Sequence, residues 1–216
     1  MEICQYSINS GHVNMSVDSA LLESAINENK QEPIFRLYGW SPACVSLGRN
    51  QNDDFLDKEF LKENNVDVVR RLTGGRALLH DNEITYSFVC PISYLKNGGH
   101  IVSSYKEISQ IFIDKFKKLG VELDYGNTKP VNTSFDYCML ISTGADLCYN
   151  NKKLIGSAQF RKNGYILQHG SILYDYNREF LEKIFDERID AESITCIKEI
   201  NPDLTKEQII AILSVD

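Results

Sequence analysis

Residues 146–174 carry the pattern that most restricts how this chain can fold. Three short stretches rich in β-branched and aromatic residues (146–150, 153–161 and 165–174) are separated by Asn150-Asn151 and by Lys162-Asn163-Gly164. Asparagine and glycine tolerate the left-handed backbone conformations that tight turns require. The spacing therefore predicts an antiparallel meander of three consecutive strands.

The rest of the chain mixes further strands with amphipathic helices. Strand-like stretches occur at 34–40, 43–47, 67–71 and 83–90. Periodic apolar residues predict helices at 16–27, 55–63, 103–119, 177–185 and 205–213, with Ser16 as a cap, Gly120 as a stop, and Thr205 and Gln208 at capping-box spacing. Regular alternation of strands and helices is absent. We therefore predict one α+β domain over residues 1–216, with a mainly antiparallel β-sheet and packed helices.

Composition restricts the class of function. The chain is 43% hydrophobic and 25% charged, as in a globular domain, and has neither a bilayer-length apolar run nor an N-terminal leader, so we expect a soluble, cytoplasmic protein without a membrane partner. A net charge of −7 argues against nucleic-acid binding. The six cysteines lack CxxC spacing, and His80 and His169 lack ligand spacing, so we expect no metal site.

Two segments place cations beside glycine or other small residues. They are RRLTGGRALLH at residues 70–80 and KLIGSAQ at residues 153–159. Glycines expose main-chain N–H groups and allow close approach, so the two segments together fit an anionic or strongly polarised ligand. A simple turn at Gly74-Gly75 and a surface position for Lys153 are the alternatives. Neither segment has the spacing of a dinucleotide fingerprint or a P-loop.

Cys138 offers a chemistry for such a pocket. It lies fifteen positions before Lys153 in a loop-like context, whereas Cys44, Cys90 and Cys148 fall inside apolar strand patterns and are expected to be buried. A thiolate is a strong nucleophile, and Ser157 does not lie in the GxSxG elbow of serine hydrolases. Cys138 is therefore a candidate nucleophile, with a structural cysteine as the alternative.

Charge is uneven along the chain. Residues 150–164 contain Lys152, Lys153, Arg161 and Lys162 and no carboxylate, although the whole chain is acidic. A local basic surface of this kind suits an acidic partner, and a solvated charged hairpin is the alternative.

Several motifs resemble the biotin/lipoate cofactor-transferase superfamily. They are RRLTGGRALLH at 70–80, EITYS at 83–87, KLIGSAQ at 153–159 and QHGSIL at 168–173. Four features are similar to the M-type octanoyltransferases, a branch that transfers octanoyl groups from acyl carrier protein to proteins: GGR at 74–76, GSAQ at 156–159, QHG at 168–170 and a cysteine eighteen residues before Gly156. The chain leaves no room after Leu213 for the accessory domain of the ligases, so no accessory C-terminal domain is expected.

The resemblance implies roles for individual residues. Cys138 would accept the acyl group as a thioester and Lys153 would be the catalytic lysine, with Leu72, Ala77, Gly74, Gly75 and Gly156 suited to walling an acyl slot. The implied substrate-binding residues are Arg70, Arg71, Leu72, Thr73, Gly74, Gly75, Arg76, Ala77, His80, Gly156, Ser157, Ala158, His169 and Gly170.

The resemblance also implies partners and leaves alternative reactions open. The donor would be octanoyl-acyl carrier protein, and the acceptor a lysine of a lipoyl-accepting protein, either glycine cleavage H protein or an E2 lipoyl domain. No cofactor is expected for this reaction. A lipoate-protein ligase using ATP and magnesium is the second hypothesis, and a noncatalytic carrier-binding module is the third. A related amidotransferase that moves octanoyl between lipoyl-accepting proteins matches residues 75–76 and 156–159 less well.

Overall fold

The computed structural model describes residues 1–126, 136–140 and 143–215. Its strands are β1 (Glu2–Ile3), β2 (Ser7–Asn9), β3 (Ile34–Trp40), β4 (Cys44–Leu47), β5 (Asp67–Arg70), β6 (Leu78–His80), β7 (Glu83–Pro91), β8 (Asp124–Tyr125), β9 (Leu147–Tyr149), β10 (Lys152–Lys162) and β11 (Tyr165–Leu173). Its helices are α1 (Gly11–Asn27), α2 (Lys58–Glu63), α3 (Ile101–Lys118), α4 (Arg178–Phe185), α5 (Ile197–Ile200) and α6 (Lys206–Leu213).

The strands form two sheets. The larger runs in the order β1-β3-β7-β11-β10-β9-β8, with β2 also paired to β3, and the smaller runs β5-β4-β6. Strands β1 and β2 are parallel to β3, and the pairs from β3 onward through the larger sheet are antiparallel. The predicted α+β class with a mainly antiparallel sheet is confirmed.

The predicted meander is also confirmed, as strands β9, β10 and β11. Both of its turns use left-handed backbone: φ is 49° at Asn150 and 64° at Asn151, then 49° at Asn163 and 81° at Gly164. In the β10–β11 register Ser157 lies opposite Gly170 and Ala158 lies opposite His169. This pairing places the second cation-glycine motif beside the QHGSIL segment.

Most predicted helices are confirmed, with corrections at their ends. Helix α3 begins two residues early, and Gly120 follows its end with φ of 75°. The capping box of α6 is present: the Thr205 hydroxyl accepts from Gln208 N, and Thr205 N donates to the Gln208 side chain. Helix α2 begins at Lys58 instead of residue 55, because the Asp57 carboxylate caps it.

The predicted start of α1 at Ser16 is wrong, because the helix begins at Gly11. Its first turns bury polar residues: Asn14 donates to the carbonyl oxygens of Asn9 and Gly39. An apolar pattern cannot reveal a turn that is anchored by hydrogen bonds. Strands β1, β2, β6 and β8 have two or three residues each and were too short for periodicity to reveal.

Two clusters of apolar side chains flank the site. One packs the larger sheet against α3 and α6, and the other packs the smaller sheet against α4 and the turn at Cys138–Leu140. Cys138 is flanked in the chain by Tyr137 and Met139, which both belong to the second cluster. Within the described residues, no helix combines the length and apolarity that a membrane span needs.

Candidate active site

The structure brings the sulfur of Cys138 and the amine of Lys153 together. Lys153 is the second residue of β10, and Cys138 opens a 3-10 turn, Cys138–Leu140. Lys153 Nζ lies 3.9 Å from Cys138 Sγ and donates a 3.1 Å hydrogen bond to the Cys138 carbonyl oxygen. Cys138 is half-buried, while the Lys153 side chain is 1% exposed. The ammonium therefore lies within Coulombic reach of any negative charge on the sulfur.

Asp146 is the counter-ion of this lysine. Its Oδ2 lies 3.1 Å from Lys153 Nζ, and both side chains are almost fully buried. Oδ2 also accepts from the backbone N–H and the hydroxyl of Thr143, and Oδ1 accepts from the backbone N–H of Ser157. A buried ion pair is tolerated when hydrogen bonds satisfy the remaining lone pairs, as they do here.

The charge state of Lys153 follows from this environment. Burial is the largest influence and by itself lowers the pKa of Lys153, but Asp146 and then Cys138 oppose it, so that the pKa is raised above the ordinary value. Lys153 is consequently an ammonium near neutral pH. It can donate hydrogen bonds and supply positive charge, but it cannot act there as a proton acceptor.

Sequence reasoning placed Asp146 in a strand and missed its role, although the hairpin register contained a signal. Lys153 pairs with Cys148 across β9 and β10. Side chains alternate along a strand, so positions 146 and 148 share a face and 146 is a diagonal neighbour of 153. A carboxylate at that position would have been a reasonable partner for a buried lysine.

Long-range hydrogen bonds hold the backbone on either side of the sulfur. Cys138 N donates to the Ala77 carbonyl oxygen at 2.8 Å. The Glu187 carboxylate accepts from the backbone N–H groups of Asp136 and Tyr137. The position of Cys138 therefore depends on the smaller sheet and on the segment that follows α4.

Arg70 and Arg71 hold the backbone around the loop that contains Gly74 and Gly75, the glycine loop. The Arg71 guanidinium is buried and donates to the carbonyl oxygens of Ser46, Gly74 and Arg76. Arg70 donates instead to the carbonyl oxygens of Gly48 and Gln51. Each of these two arginines thus stabilises loop backbone.

Glycine is required where two loops cross. Gly75 has φ of 91°, and a Cβ on Gly48 would lie 1.8 Å from the Gly75 carbonyl oxygen. Gly156 is equally confined, because an added Cβ would lie 2.9 Å from Met139 Sδ and 3.0 Å from Lys153 Cε. These contacts allow the backbones to pass close to one another beside the cysteine.

His80 is a buried member of a polar cluster. Its Nε2 lies 2.7 Å from the Ser46 hydroxyl, and its ring stacks on Trp40 at a centroid distance of 3.9 Å. Burial, the largest cause, lowers the pKa of His80, although Glu83 opposes the shift. The ring is therefore neutral at physiological pH.

His169 connects the glycine loop to α1. Its Nε2 lies 2.7 Å from the Thr73 hydroxyl, and its Nδ1 lies 3.2 Å from Asp18 Oδ2. Asp18 is also paired with Arg36 at 2.8 Å and accepts from the Tyr38 hydroxyl. The imidazole is thus fixed by side chains from three separate parts of the chain.

Cys138 lies at the junction of two cavities. An inner cavity of about 60 Å³ extends from it among mostly apolar surfaces, and an outer cleft of about 410 Å³ opens on its other side. Both are lined by Gly75, Arg76, Cys138, Ser157 and Ala158.

Most of the predicted binding residues line one of these spaces. Arg71, His80, Gly156, His169, Gly170 and Ser171 line the inner cavity, together with Trp40 and Thr85, which sequence reasoning missed. The outer cleft adds Gly74 and Lys153, and also Tyr105 and Asp146, which were likewise missed.

Four predicted residues lie elsewhere. Leu72 faces a separate groove beside α1, and Ala77 is fully buried next to Tyr137, so the expectation that they wall the acyl slot is corrected. Thr73 lies behind His169, and Arg70 anchors a loop. Residues 71–76 form a loop between β5 and β6, and neighbouring side chains of this loop face different surroundings, so contiguous residues do not all reach one pocket.

A model of the lipoyl protein ligase A/B catalytic domain matches residues 10–215. The chain belongs to this family. Octanoyltransferase LipM of Clostridioides difficile is 38% identical over 81% of this chain and 65% of that protein. Octanoyltransferase LipM of Staphylococcus epidermidis is 36% identical over 84% of this chain and 69% of that protein. The predicted resemblance to this superfamily and to its octanoyltransferase branch is confirmed.

The fold of the family also matches. A structure described as a bi-partite lipoate protein ligase and its E2 lipoyl domain, from Thermoplasma acidophilum, has a TM-score of 0.70 at 19% identity, covering 99% of this chain and 81% of that one. Identity at this level indicates a shared fold. The aligned region covers 65% of the C. difficile protein, so this chain spans a little under two thirds of that relative.

Proposed function

We propose that this protein is an octanoyltransferase of protein lipoylation that works through a thioester on Cys138. The observation that carries the proposal is the position of Cys138, which lies at the junction of a mostly apolar inner cavity and a larger outer cleft, 3.9 Å from a buried ammonium. Relatives named octanoyltransferase, at 36% and 38% identity, support acyl transfer.

In the first step the Cys138 thiolate attacks the carbonyl carbon of an octanoyl thioester. The tetrahedral intermediate collapses, the carrier's sulfur departs as a thiolate that takes a proton from solvent, and octanoyl-Cys138 remains. Lys153 stabilises negative charge on the attacking sulfur and on the carbonyl oxygen. One well-placed donor of this kind is typically worth about 3 kcal/mol in the transition state.

In the second step the neutral amine of an acceptor lysine attacks octanoyl-Cys138. An amide forms, Cys138 departs as a thiolate, and the proton lost by the nitrogen passes to solvent through the outer cleft. Lys153 is not the base for this proton, because its raised pKa keeps it protonated. The octanoyl tail occupies the inner cavity throughout, where each buried methylene contributes about 0.8 kcal/mol.

The proposed donor is octanoyl-acyl carrier protein, and the proposed acceptor is a lysine of an E2 lipoyl domain or of glycine cleavage H protein. The E2 lipoyl domain that accompanies the Thermoplasma ligase supports this class of acceptor. Neither ATP nor magnesium is needed, because a thioester is already an activated acyl group.

Intact-mass measurement tests the proposal. Mixing the protein with octanoyl-acyl carrier protein and no ATP should add one octanoyl group, and adding an E2 lipoyl domain should transfer it to the domain. Cys138→Ser should form no adduct, while Cys4→Ser, at a cysteine that is likewise half-buried, serves as the matched control and should react like the wild type.

The same experiment identifies the competing reaction. A lipoate-protein ligase would form no adduct with the thioester and would modify the lipoyl domain only with lipoate, ATP and magnesium. That result, or an adduct that persists in Cys138→Ser, would exclude the thioester mechanism.

A further inference from the structure

The first turns of α3 expose apolar side chains beside the outer cleft. Val102 is 64% exposed and Ile101 is 60% exposed, the highest values for large apolar side chains in the part of the chain that the structure describes. Exposed apolar groups that lie together beside a site often mark a surface that a partner covers.

These side chains are continuous with the cleft. Tyr105 lines the outer cleft and lies one helical turn after Ile101 and Val102. Arg161 of β10 donates to the Gly99 carbonyl oxygen and to the Ser104 hydroxyl. We name the surface formed by Ile101, Val102, Tyr105, Lys106 and Arg161 the α3 ledge.

The α3 ledge is positively charged on an acidic protein. The chain has a net charge of −7, yet residues 92–106 and 150–164 contain no carboxylate. Among the described residues, Arg161 hydrogen-bonds only neutral oxygens, and Lys106 lies over the Tyr125 ring at 5.1 Å. Glu107, the next residue after this stretch, accepts from the backbone N–H groups of Lys96 and Asn97.

Other basic residues nearby are already paired. Lys152 forms a salt bridge with Glu192, and Lys162 forms one with Glu23. The positive charge that a partner would meet at the cleft rim therefore includes that of the ledge, in addition to Arg76 in the cleft lining. An apolar centre with a basic rim is complementary to a protein surface that has an apolar residue surrounded by carboxylates.

We propose that the α3 ledge is the docking surface for the acceptor protein, and that the acceptor presents an acidic surface around its modified lysine. This inference rests on the proposed octanoyl transfer. A lysine side chain has only a four-carbon stem, so the body of the acceptor must contact the protein close to the cleft. A carrier that delivers its thioester on a long prosthetic arm has no such restriction.

A charge introduced on the ledge tests the proposal. Val102→Asp lies in the first turn of α3, where a carboxylate favours the helix dipole, so the variant should fold normally. Val13→Asp is the matched control, because Val13 is also an exposed valine in the first turn of a helix, α1.

Each half-reaction is measured separately. Octanoyl-pantetheine serves as a small donor for acylation of Cys138, followed by titration of the acylated enzyme with an E2 lipoyl domain in single turnovers. For Val102→Asp, acylation should be unchanged and the half-saturating lipoyl-domain concentration should rise about tenfold. For Val13→Asp, both should equal the wild-type values. For Arg161→Gln, the half-saturating lipoyl-domain concentration should depend less on salt concentration than it does for the wild type.

The outcomes separate this inference from the proposed function. If Cys138 is never acylated, the proposed function fails. If acylation proceeds and Val102→Asp saturates at the wild-type acceptor concentration, the ledge is not the acceptor surface. A defect that appears only with octanoyl-acyl carrier protein as donor would assign the ledge to the donor and overturn the proposal.

Discussion

Replacing Asp146 by asparagine removes the charge that keeps Lys153 protonated inside the protein. The two groups are 3.1 Å apart, and their side chains are 3% and 1% exposed, so solvent cannot replace the lost carboxylate. Breaking a buried ion pair by neutralising one partner typically costs about 3–5 kcal/mol. A second argument gives a similar limit, because deprotonating a lysine of ordinary pKa at pH 7 costs about 4.5 kcal/mol.

The substitution should affect activity through the same lysine. Without Asp146, the largest influence that opposes burial is lost and the pKa of Lys153 falls, so a larger fraction of the amine is neutral. Loss of about 3 kcal/mol of transition-state stabilisation corresponds to a decrease of about a hundredfold in the rate of Cys138 acylation. Because a lower pH restores the ammonium, the ratio of variant to wild-type rates should rise as pH falls from 9 to 6.

Two assays separate folding from catalysis. Urea unfolding measures stability, and time-resolved intact mass with octanoyl-pantetheine measures acylation. The double variant Asp146→Asn/Lys153→Met removes both charges and should recover much of the lost stability while acylation stays slow. Asp146 would not be the counter-ion that sets the charge of Lys153 if Asp146→Asn were as stable as the wild type and were acylated at the wild-type rate at every pH.

Three further substitutions probe other parts of the site. Gly156→Ala should slow acylation about tenfold, because its Cβ would lie 2.9 Å from Met139 Sδ and 3.0 Å from Lys153 Cε and would shift both side chains slightly; the thermal midpoint checks that the variant is folded. Glu187→Gln should slow acylation about tenfold by loosening the backbone before Cys138, with unchanged lipoyl-domain saturation as the test of a positioning role. Burial lowers the pKa of His80, so below about pH 6.5 the unfolded chain binds a proton at this residue more readily than the folded protein does, and the wild type loses stability as the pH falls. Urea unfolding of His80→Asn should therefore show a smaller loss of stability between pH 7 and 5 than urea unfolding of the wild type.

The fold was predictable where local rules and the tertiary structure agree. The Asn-rich turns of the meander, Gly120 after α3 and the capping box of α6 each act through hydrogen bonds or backbone angles within a few residues. Strand β6 and the first turns of α1 depend instead on distant partners, as the bonds from Asn14 to Gly39 illustrate. Such contacts have no local signature.

The sequence singled out the candidate nucleophile and lysine more readily than the residues that line the two cavities. Residue type and motif singled out Cys138 and Lys153 as candidates, and the structure places Lys153 Nζ 3.9 Å from Cys138 Sγ. Their catalytic roles stay a prediction. Trp40 and Tyr105 line the two cavities, but they lie far along the chain from both motifs. The predicted site residues were taken from contiguous motifs, so they included Leu72, which faces another groove. They omitted residues that only the order of the strands in the sheet brings close to the two cavities.

The arrangement of charge explains how one cysteine can serve two successive partners. Asp146 fixes the ammonium of Lys153 inside the protein, so the positive charge is present before either partner arrives and needs no reorganisation when negative charge develops. Because the raised pKa of Lys153 keeps the side chain protonated, Lys153 cannot remove the proton of the acceptor's amine. The proposed mechanism therefore requires the outer cleft to be open to solvent, because another group must take the acceptor's proton. In the proposed reaction this cleft admits donor and acceptor in turn, the acyl tail stays in the inner cavity, and the proton leaves to water in the cleft; the structure itself shows the two spaces meeting at Cys138.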